Sequence, residues 1–301
     1  MITPLVSVVL PCYYSAKTLQ HCLEQLRKQS FQNFEIIAVN SSQEEDTARV
    51  AAHFPEVIFI QSPQRLYPHA ARNLGVTRAS GRLLVFSDPD CAAEPDWLWH
   101  LVERWQEGHL VTGGAMALRQ TTWLQTGIHL CKFHWCLPGD SAGPRWILAT
   151  ANAAYDRELW DRMGCFPNVF CGDAVQSWRA RDAGAQPWFD ARAIVSHTHD
   201  QTFSQFLRQR FCRGKEFAAV RVSYEAWPPQ RLAATILGAP ILGSWVAIRA
   251  GIDAARCGWL GSFLATLPLQ ILGHAAWSLG EARECCEAFG RVTPEVTAAS
   301  E

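Results

Sequence analysis

Apolar positions in the first ninety residues alternate between two rhythms. Short runs recur at residues 6–10, closed by Pro11; at 34–39, closed by Asn40-Ser41-Ser42; at 57–60; and at 83–86. Runs of this length, bounded by polar or turn residues, predict buried strands. Between them, Leu19, Cys22, Leu23 and Leu26 sit at helical spacing over residues 15–29, with Ser15 placed to cap the helix. Residues 45–54 and 69–79 predict two more helices, the second with Gly81 just past its C-terminus. Strand–helix alternation at this spacing predicts an α/β fold with a parallel, doubly wound sheet. Ligands bind such sheets at the carboxyl ends of the strands. Tyr13, Asn40, Arg72 and Asp88 are therefore expected around one crevice.

The fourth run ends abruptly in Ser87-Asp88-Pro89-Asp90. In an extended chain, Asp88 and Asp90 project to the same side. Two readings stay open. Asp-Pro-Asp is ordinary turn chemistry. It is also a pair of oxygen ligands suited to a hard divalent cation, Mg²⁺ or Mn²⁺, whose other positions go to water and substrate phosphates.

Composition narrows the function classes. The chain has 301 residues, 49% of them hydrophobic and 18% charged, so it folds. A net charge of −1 gives no bulk drive toward nucleic acid, and none is expected as a partner. The 11 cysteines are odd in number and form no Cys-x-x-Cys pair, which predicts reduced thiols in a cytosolic setting. His129, Cys131, His134 and Cys136 lie close in sequence but match no common zinc spacing. The opening apolar run lacks a basic region before it and reads as a first strand, not a signal peptide.

Composition shifts after Pro228-Pro229. Residues 232–248 and 257–280 carry no formal charge, and each run approaches the roughly 20 residues that span a bilayer. Gly238, Pro240, Gly243, Gly261 and Pro268 interrupt them. A membrane hairpin, a pair of helices in the interface anchored by Trp245, Trp259 and Trp277, and a soluble helical pair all remain open. The expected division is residues 1–225 as a catalytic domain and 226–301 as an apolar helical region.

Taken together, these motifs resemble glycosyltransferase family 2. The residues Val8-Val9-Leu10-Pro11-Cys12-Tyr13-Tyr14 are similar to that family's first strand and Pro-x-Tyr-Asn turn. His69-Ala70-Ala71-Arg72-Asn73-Leu74-Gly75 is similar to its Ala-Ala-Arg-Asn-x-Gly helix. Asp88-Pro89-Asp90 matches its Asp-x-Asp, and Pro95-Asp96-Trp97-Leu98 follows at the usual place. The resemblance runs on through Gly172-Asp173 and Val195-Ser196-His197-Thr198-His199 to the basic stretch Arg210–Gly214.

The resemblance implies a GT-A fold: a Rossmann-like, mostly parallel sheet with helices on both faces, here with a C-terminal apolar helical pair. It implies an inverting, metal-dependent hexosyltransferase that moves a sugar from a nucleotide donor, a UDP-sugar first, to a glycan or lipid-linked acceptor of the cell envelope. Pro11, Tyr13, Asn40, Arg72 and Asp88 would hold the nucleotide, with Tyr13 stacking on the base. Asp88, Asp90 and His197 would hold Mg²⁺ or Mn²⁺. Asp173 would be the general base; as a residue preceding a helical stretch it also reads as an N-cap. His197 and His199, an i, i+2 pair at a strand end, are expected to point one way. Arg208, Arg210, Arg213 and Lys215 would hold diphosphate or lipid head groups, or form a solvated helix face. The implied location is the cytoplasmic face of the plasma membrane, peripheral or integral.

Three departures from the family pattern stand out. Asn40 and Ser41 replace base-reading aspartates, Tyr14 replaces the turn's Asn, and Gly172 replaces the usual Glu. Asn40, Ser41 and Gly172 support a second reading, a catalytically degenerate domain kept as a membrane-bound scaffold or partner subunit. A third, a nucleotidyltransferase, calls for a Gly- and Lys/Arg-rich loop after the first strand, which residues 12–15 do not offer.

Overall fold

The computed structural model describes residues 3–119 and 122–292. In chain order the strands are β1 (Val6–Cys12), β2 (Phe34–Asn40), β3 (Val57–Gln61), β4 (Leu83–Ser87), β5 (Cys91–Ala93), β6 (Val111–Leu118), β7 (Gly143–Pro144), β8 (Asn152–Asp156) and β9 (Trp188–His197). The α-helices are α1 (Ala16–Arg27), α2 (Glu45–Ala52), α3 (Pro68–Val76), α4 (Trp97–Gln106), α5 (Trp123–Phe133), α6 (Arg157–Met163), α7 (Gly172–Asp182), α8 (Phe203–Tyr224), α9 (Pro229–Arg256), α10 (Leu260–Ala265) and α11 (Leu267–Val292). Two compact units result. The first comprises residues 1–119, 136–168 and 172–198; the second comprises 120–135, 169–171 and 199–301. The second unit thus begins well before the composition shift at Pro228, and it includes α5.

All nine strands of the first unit form one sheet in the order β3-β2-β1-β4-β8-β6-β9-β5, with β7 paired to β9. The half built by residues 6–87 is wholly parallel: β1 pairs β2 and β4, and β2 pairs β3. Its β1 and β4 are buried almost end to end, as parallel strands covered by helices on both faces must be. The other half is mixed, since β8 runs antiparallel to both β4 and β6 and β5 antiparallel to β9. Register aligns the carboxyl ends of the parallel strands: Cys12 lies opposite Asn40, and Val9 opposite Phe86.

Two local expectations fail for identifiable reasons. Ser15 precedes α1 but makes no cap; its hydroxyl accepts from the Tyr13 N–H at 2.9 Å and so closes the turn after β1. Gly81 is not past a helix end, because α3 stops at Val76. A Cβ at Gly81 would stand 2.7 Å from the Ser7 backbone nitrogen, so glycine there lets the chain enter β4 flush against β1.

Asn152, fully buried at the start of β8, ties the mixed half together. Its amide donates to the carbonyls of Ala115 and Ala193 at 2.9 and 2.8 Å, and its carbonyl accepts from Trp97 Nε1 at 2.8 Å. Asn152 also pairs with Ser87, the last residue of β4. One residue therefore links the end of β4, through its backbone, to β6, β9 and α4, through its side chain.

At the other end of β9, burial pushes the Asp190 carboxyl up, but hydrogen bonds from Arg192 and Arg104 outweigh it and hold the group down at about 2. A depressed carboxylate stabilises the fold above its unfolded value near 3.8 and loses that contribution as pH falls through 2.

In the second unit, α8 starts in a capping box formed by Thr202 and Gln205. Helix α8 packs on α11 at very close range: a Cβ at Gly280 would lie 2.0 Å from the Phe211 carbonyl, and one at Gly214 2.1 Å from that of Trp277. The basic run on α8 is neither a phosphate cluster nor a uniformly solvated face. Arg210 is buried over Trp277, Arg213 lies over Phe170, and Lys215 pairs with Glu287. The two uncharged runs do not form two matching helices. Helix α9 continues unbroken through Pro240 and Arg249, while the second run divides into α10 and α11.

Asp190→Asn should lower stability at neutral pH by about 1–3 kcal/mol, since it removes a buried carboxylate hydrogen-bonded to two partly exposed arginines. In urea unfolding the gap between variant and wild type should narrow as pH falls from 4 to 2. A gap that stays constant over that range would mean the carboxylate contributes nothing.

Candidate functional site

The aligned strand ends bring one set of side chains to the same edge of the sheet. Tyr13 follows β1 and is 41% exposed. Arg65 stacks over its ring at 4.8 Å and over Tyr67 at 5.6 Å. This cation between two exposed rings was not legible as a site residue, because nothing in its sequence neighbourhood marks it. Tyr14 adopts φ +51°, a left-handed conformation that costs a residue with a Cβ about 1–2 kcal/mol and that Asn tolerates better.

Asn40 closes β2 and is fully buried. Its Nδ2 donates to Gln61 Oε1 at 2.9 Å and to the Ser42 carbonyl at 3.3 Å; its Oδ1 accepts from the Ser42 hydroxyl at 2.8 Å. The amide is thus engaged within the protein, at the edge of the crevice. Ser41 likewise donates to the Leu66 carbonyl at 3.3 Å.

The two carboxylates after β4 have different partners. Asp88 is ion-paired with Arg72 of α3, a side chain only 5% exposed. Arg72 also contacts His69 Nδ1 at 3.4 Å. In this arrangement the arginine is directed at Asp88 and hardly reaches solvent. Asp90 is the more exposed of the two and lies 3.5 Å from His197 Nε2. Short pairing between β5 and β9 sets that approach: Cys91 lies directly opposite His197, and the Thr198 N–H donates to the Asp90 carbonyl at 3.2 Å.

Among the described residues, Asp90, Cys91 and His197 form the group whose ligand atoms all lie within 4.8 Å of one another. Burial raises the Cys91 thiol well above its usual value, and the Asp90 and Asp88 charges raise it further. A carboxylate and an imidazole at this separation, partly open to solvent, fit a divalent cation that keeps positions for substrate. Cys91 was not singled out from the sequence, although its place directly after Asp90 was the available signal.

His199 does not join His197. It is buried in the second unit, where its Nε2 meets His129 Nδ1 at 3.2 Å. The strand ends at His197, so the alternation that would align the pair stops there. In the same stretch His134 pairs with Asp253, and Cys131 lies near His274.

Asp173 lies in the first turn of α7 and its Oδ1 accepts from the next backbone N–H, Ala174, at 2.9 Å. Its charge and that of Arg72 both act on Tyr155, whose hydroxyl is pushed up first by burial and then by Asp173. Asp173 and Arg72 therefore share surroundings. The preceding Gly172 explains a departure from the family pattern. A Cβ there would meet the His69 ring at 2.8 Å, so a glutamate has no room while His69 packs against Phe166.

Comparison with known proteins now decides the family. The sequence profile described as "Glycosyl transferase family 2" matches residues 7–160. The chain belongs to that family. Over 223 residues it is 27% identical to the glycosyltransferase AglE of Haloferax volcanii, covering 70% of this chain and 72% of that one. It is 32% identical over 128 residues to an undecaprenyl-phosphate 4-deoxy-4-formamido-L-arabinose transferase of Serratia proteamaculans, covering 40% of this chain and 39% of that one. In structure it resembles the mannosyltransferase PcManGT of Pyrobaculum calidifontis, solved with GDP-Man and Mn²⁺. The TM-score is 0.63 at 20% identity, covering 95% of this chain and 88% of that one. The sheet and its flanking helices are those of the GT-A fold.

Gly172→Ala should cost about 1–3 kcal/mol, the usual penalty of overpacking. Combining it with His69→Ala should recover part of that loss in a double-mutant cycle read by thermal or urea unfolding. Strict additivity of the two substitutions would show that the His69 ring does not limit this position.

Proposed function

We propose that this family 2 glycosyltransferase moves a sugar from a nucleoside diphosphate to an acceptor hydroxyl with inversion at the anomeric carbon. The observation that carries the reading is the separation of roles at the Asp-Pro-Asp turn: Arg72 engages Asp88, and Asp90 faces His197. Asp90 and His197 would hold Mn²⁺ or Mg²⁺, with the Cys91 thiol within reach. Such a cation supplies counter-charge to a diphosphate as it leaves.

Around it, the chain's own residues orient and accept protons. Tyr13 presents an exposed ring on which a base can stack, with Arg65 packed against it. Asp88, held by Arg72, would meet the ribose. Asp173 takes the proton of the attacking hydroxyl; one base and no covalent intermediate suffice for inversion. The base of the donor follows less directly. Asn40 is already hydrogen-bonded internally, so a UDP-sugar and a GDP-sugar are both donors to test.

A lipid-linked acceptor is supported by the undecaprenyl-phosphate named in the Serratia relative, and by α9. That helix is long and apolar enough to cross a membrane. Membrane association at the cytoplasmic face is part of the proposal. The second reading, a silent scaffold, is favoured by the internal engagement of Asn40 and by Gly172.

With Mn²⁺, the full chain should hydrolyse at least one member of a panel of nucleotide sugars. Asp173→Asn should lower its turnover about 10²–10⁴-fold while leaving donor affinity unchanged. If calorimetry detects no binding of any common nucleoside diphosphate with Mn²⁺, the scaffold reading replaces the enzyme.

A further inference from the structure

The second unit carries a broad apolar face that no part of the described chain covers. On α9, Leu237, Ile241, Trp245 and Ile248 are 81, 73, 62 and 59% exposed, at spacings of four, four and three residues. That spacing places them on one side of the helix. The opposite side of α9 (Ala239, Gly243, Ala247, Ala250) is buried, and Gly243 sits against His274, Ala275 and Ser278 of α11. Near the other end of α9, Gly251 meets Phe263 of α10. The two long helices are therefore antiparallel, and α11 adds exposed Leu272 and Leu279 of its own.

Exposed apolar area of this kind needs an occupant, and the helix that carries most of it is long and apolar enough to meet lipid. Residues 229–292 hold five arginines and four acids. Arg231 pairs with Glu225, Arg249 and Arg256 with Asp253, and Arg283 with Glu287, yet these arginine side chains stay 45 to 69% exposed. An apolar stripe, an exposed tryptophan and rim arginines together fit an anionic lipid surface.

The same geometry argues against crossing. Between Arg231 and Arg249 the uncharged length of α9 is residues 232–248, about 26 Å of helix, at the short end of what spans a hydrocarbon core of about 30 Å. Moreover α8 lies alongside the uncharged part of α11. Phe206 meets Gly273, and the Phe211 carbonyl approaches Gly280. Were α11 to span, α8 would follow it to the same depth with Arg208 exposed and Arg213 close by. Each such charge costs about 2.5–3.5 kcal/mol at the bilayer centre.

We propose that α9 and α11 lie along the surface of one leaflet, with the Leu237–Ile248 stripe of α9 immersed and the arginines among anionic head groups. This rests on the membrane-association reading above and specifies its geometry. The face is monotopic, and both ends of α9 stay on the same side of the bilayer.

The test uses the full chain with sealed phosphatidylcholine vesicles, with and without phosphatidylglycerol. The wild type should float with the anionic vesicles, and Ile241→Asp/Ile248→Asp at least tenfold less. Both positions are exposed, so the variant keeps its fold, which circular dichroism checks. Cys257, between α9 and α10, then reports topology in a variant with Cys165, Cys212 and Cys286 changed to Ser. An impermeant maleimide added outside should label Cys257 equally in sealed and detergent-opened vesicles. Flotation with Cys257 protected until the vesicles are opened would overturn the in-plane geometry and leave membrane association standing. Failure to float with either vesicle would remove both.

Discussion

The ion pair between Arg72 and Asp88 is the constraint on which the site depends. A nearly buried guanidinium must be compensated, and the partner available at the end of β4 is the first carboxylate of the Asp-Pro-Asp turn. Pairing the first carboxylate leaves the second, Asp90, to meet a different neighbour. That neighbour is set by sheet topology, because β5 pairs antiparallel with β9 and places His197 across from Cys91. Asn152 holds the arrangement from below, joining the end of β4 to the strand that carries His197. Two acidic residues two positions apart thus acquire separate partners through packing.

The parallel half of the fold was legible because its signal is local. Buried parallel strands are continuous apolar runs, and the helices between them show a clear 3.6-residue period. The mixed half was not, since β6, β8 and β9 pair across long sequence separations and their glycines and alanines carry little periodic signal. Ser15 looked like a cap because capping residues are also turn residues; here the Tyr13 N–H competed for its hydroxyl. His199 looked like a partner of His197 because alternation was extended one step past the true strand end. In the apolar tail, composition identified the residues correctly, but only packing shows which side of α9 is covered by α11 and which is open.

Where the chain departs from the family pattern, the structure supplies local reasons. Gly172 is matched to the ring of His69, and Tyr14 holds a left-handed turn that Asn more commonly occupies. Asn40 is hydrogen-bonded into its own strand end. None of these disturbs the Asp88–Arg72 and Asp90–His197 arrangement. The departures therefore bear on the end of β2 and on the environment of Asp173 more than on the edge where Asp90 meets His197.

The most direct measurement is Mn²⁺ binding, by electron paramagnetic resonance, to wild type, Asp88→Asn and Asp90→Asn in the presence of UDP or GDP. The account predicts that Asp90→Asn weakens Mn²⁺ binding at least tenfold while Asp88→Asn changes it only slightly. Equal affinity in wild type and Asp90→Asn, or a larger loss in Asp88→Asn, would contradict it.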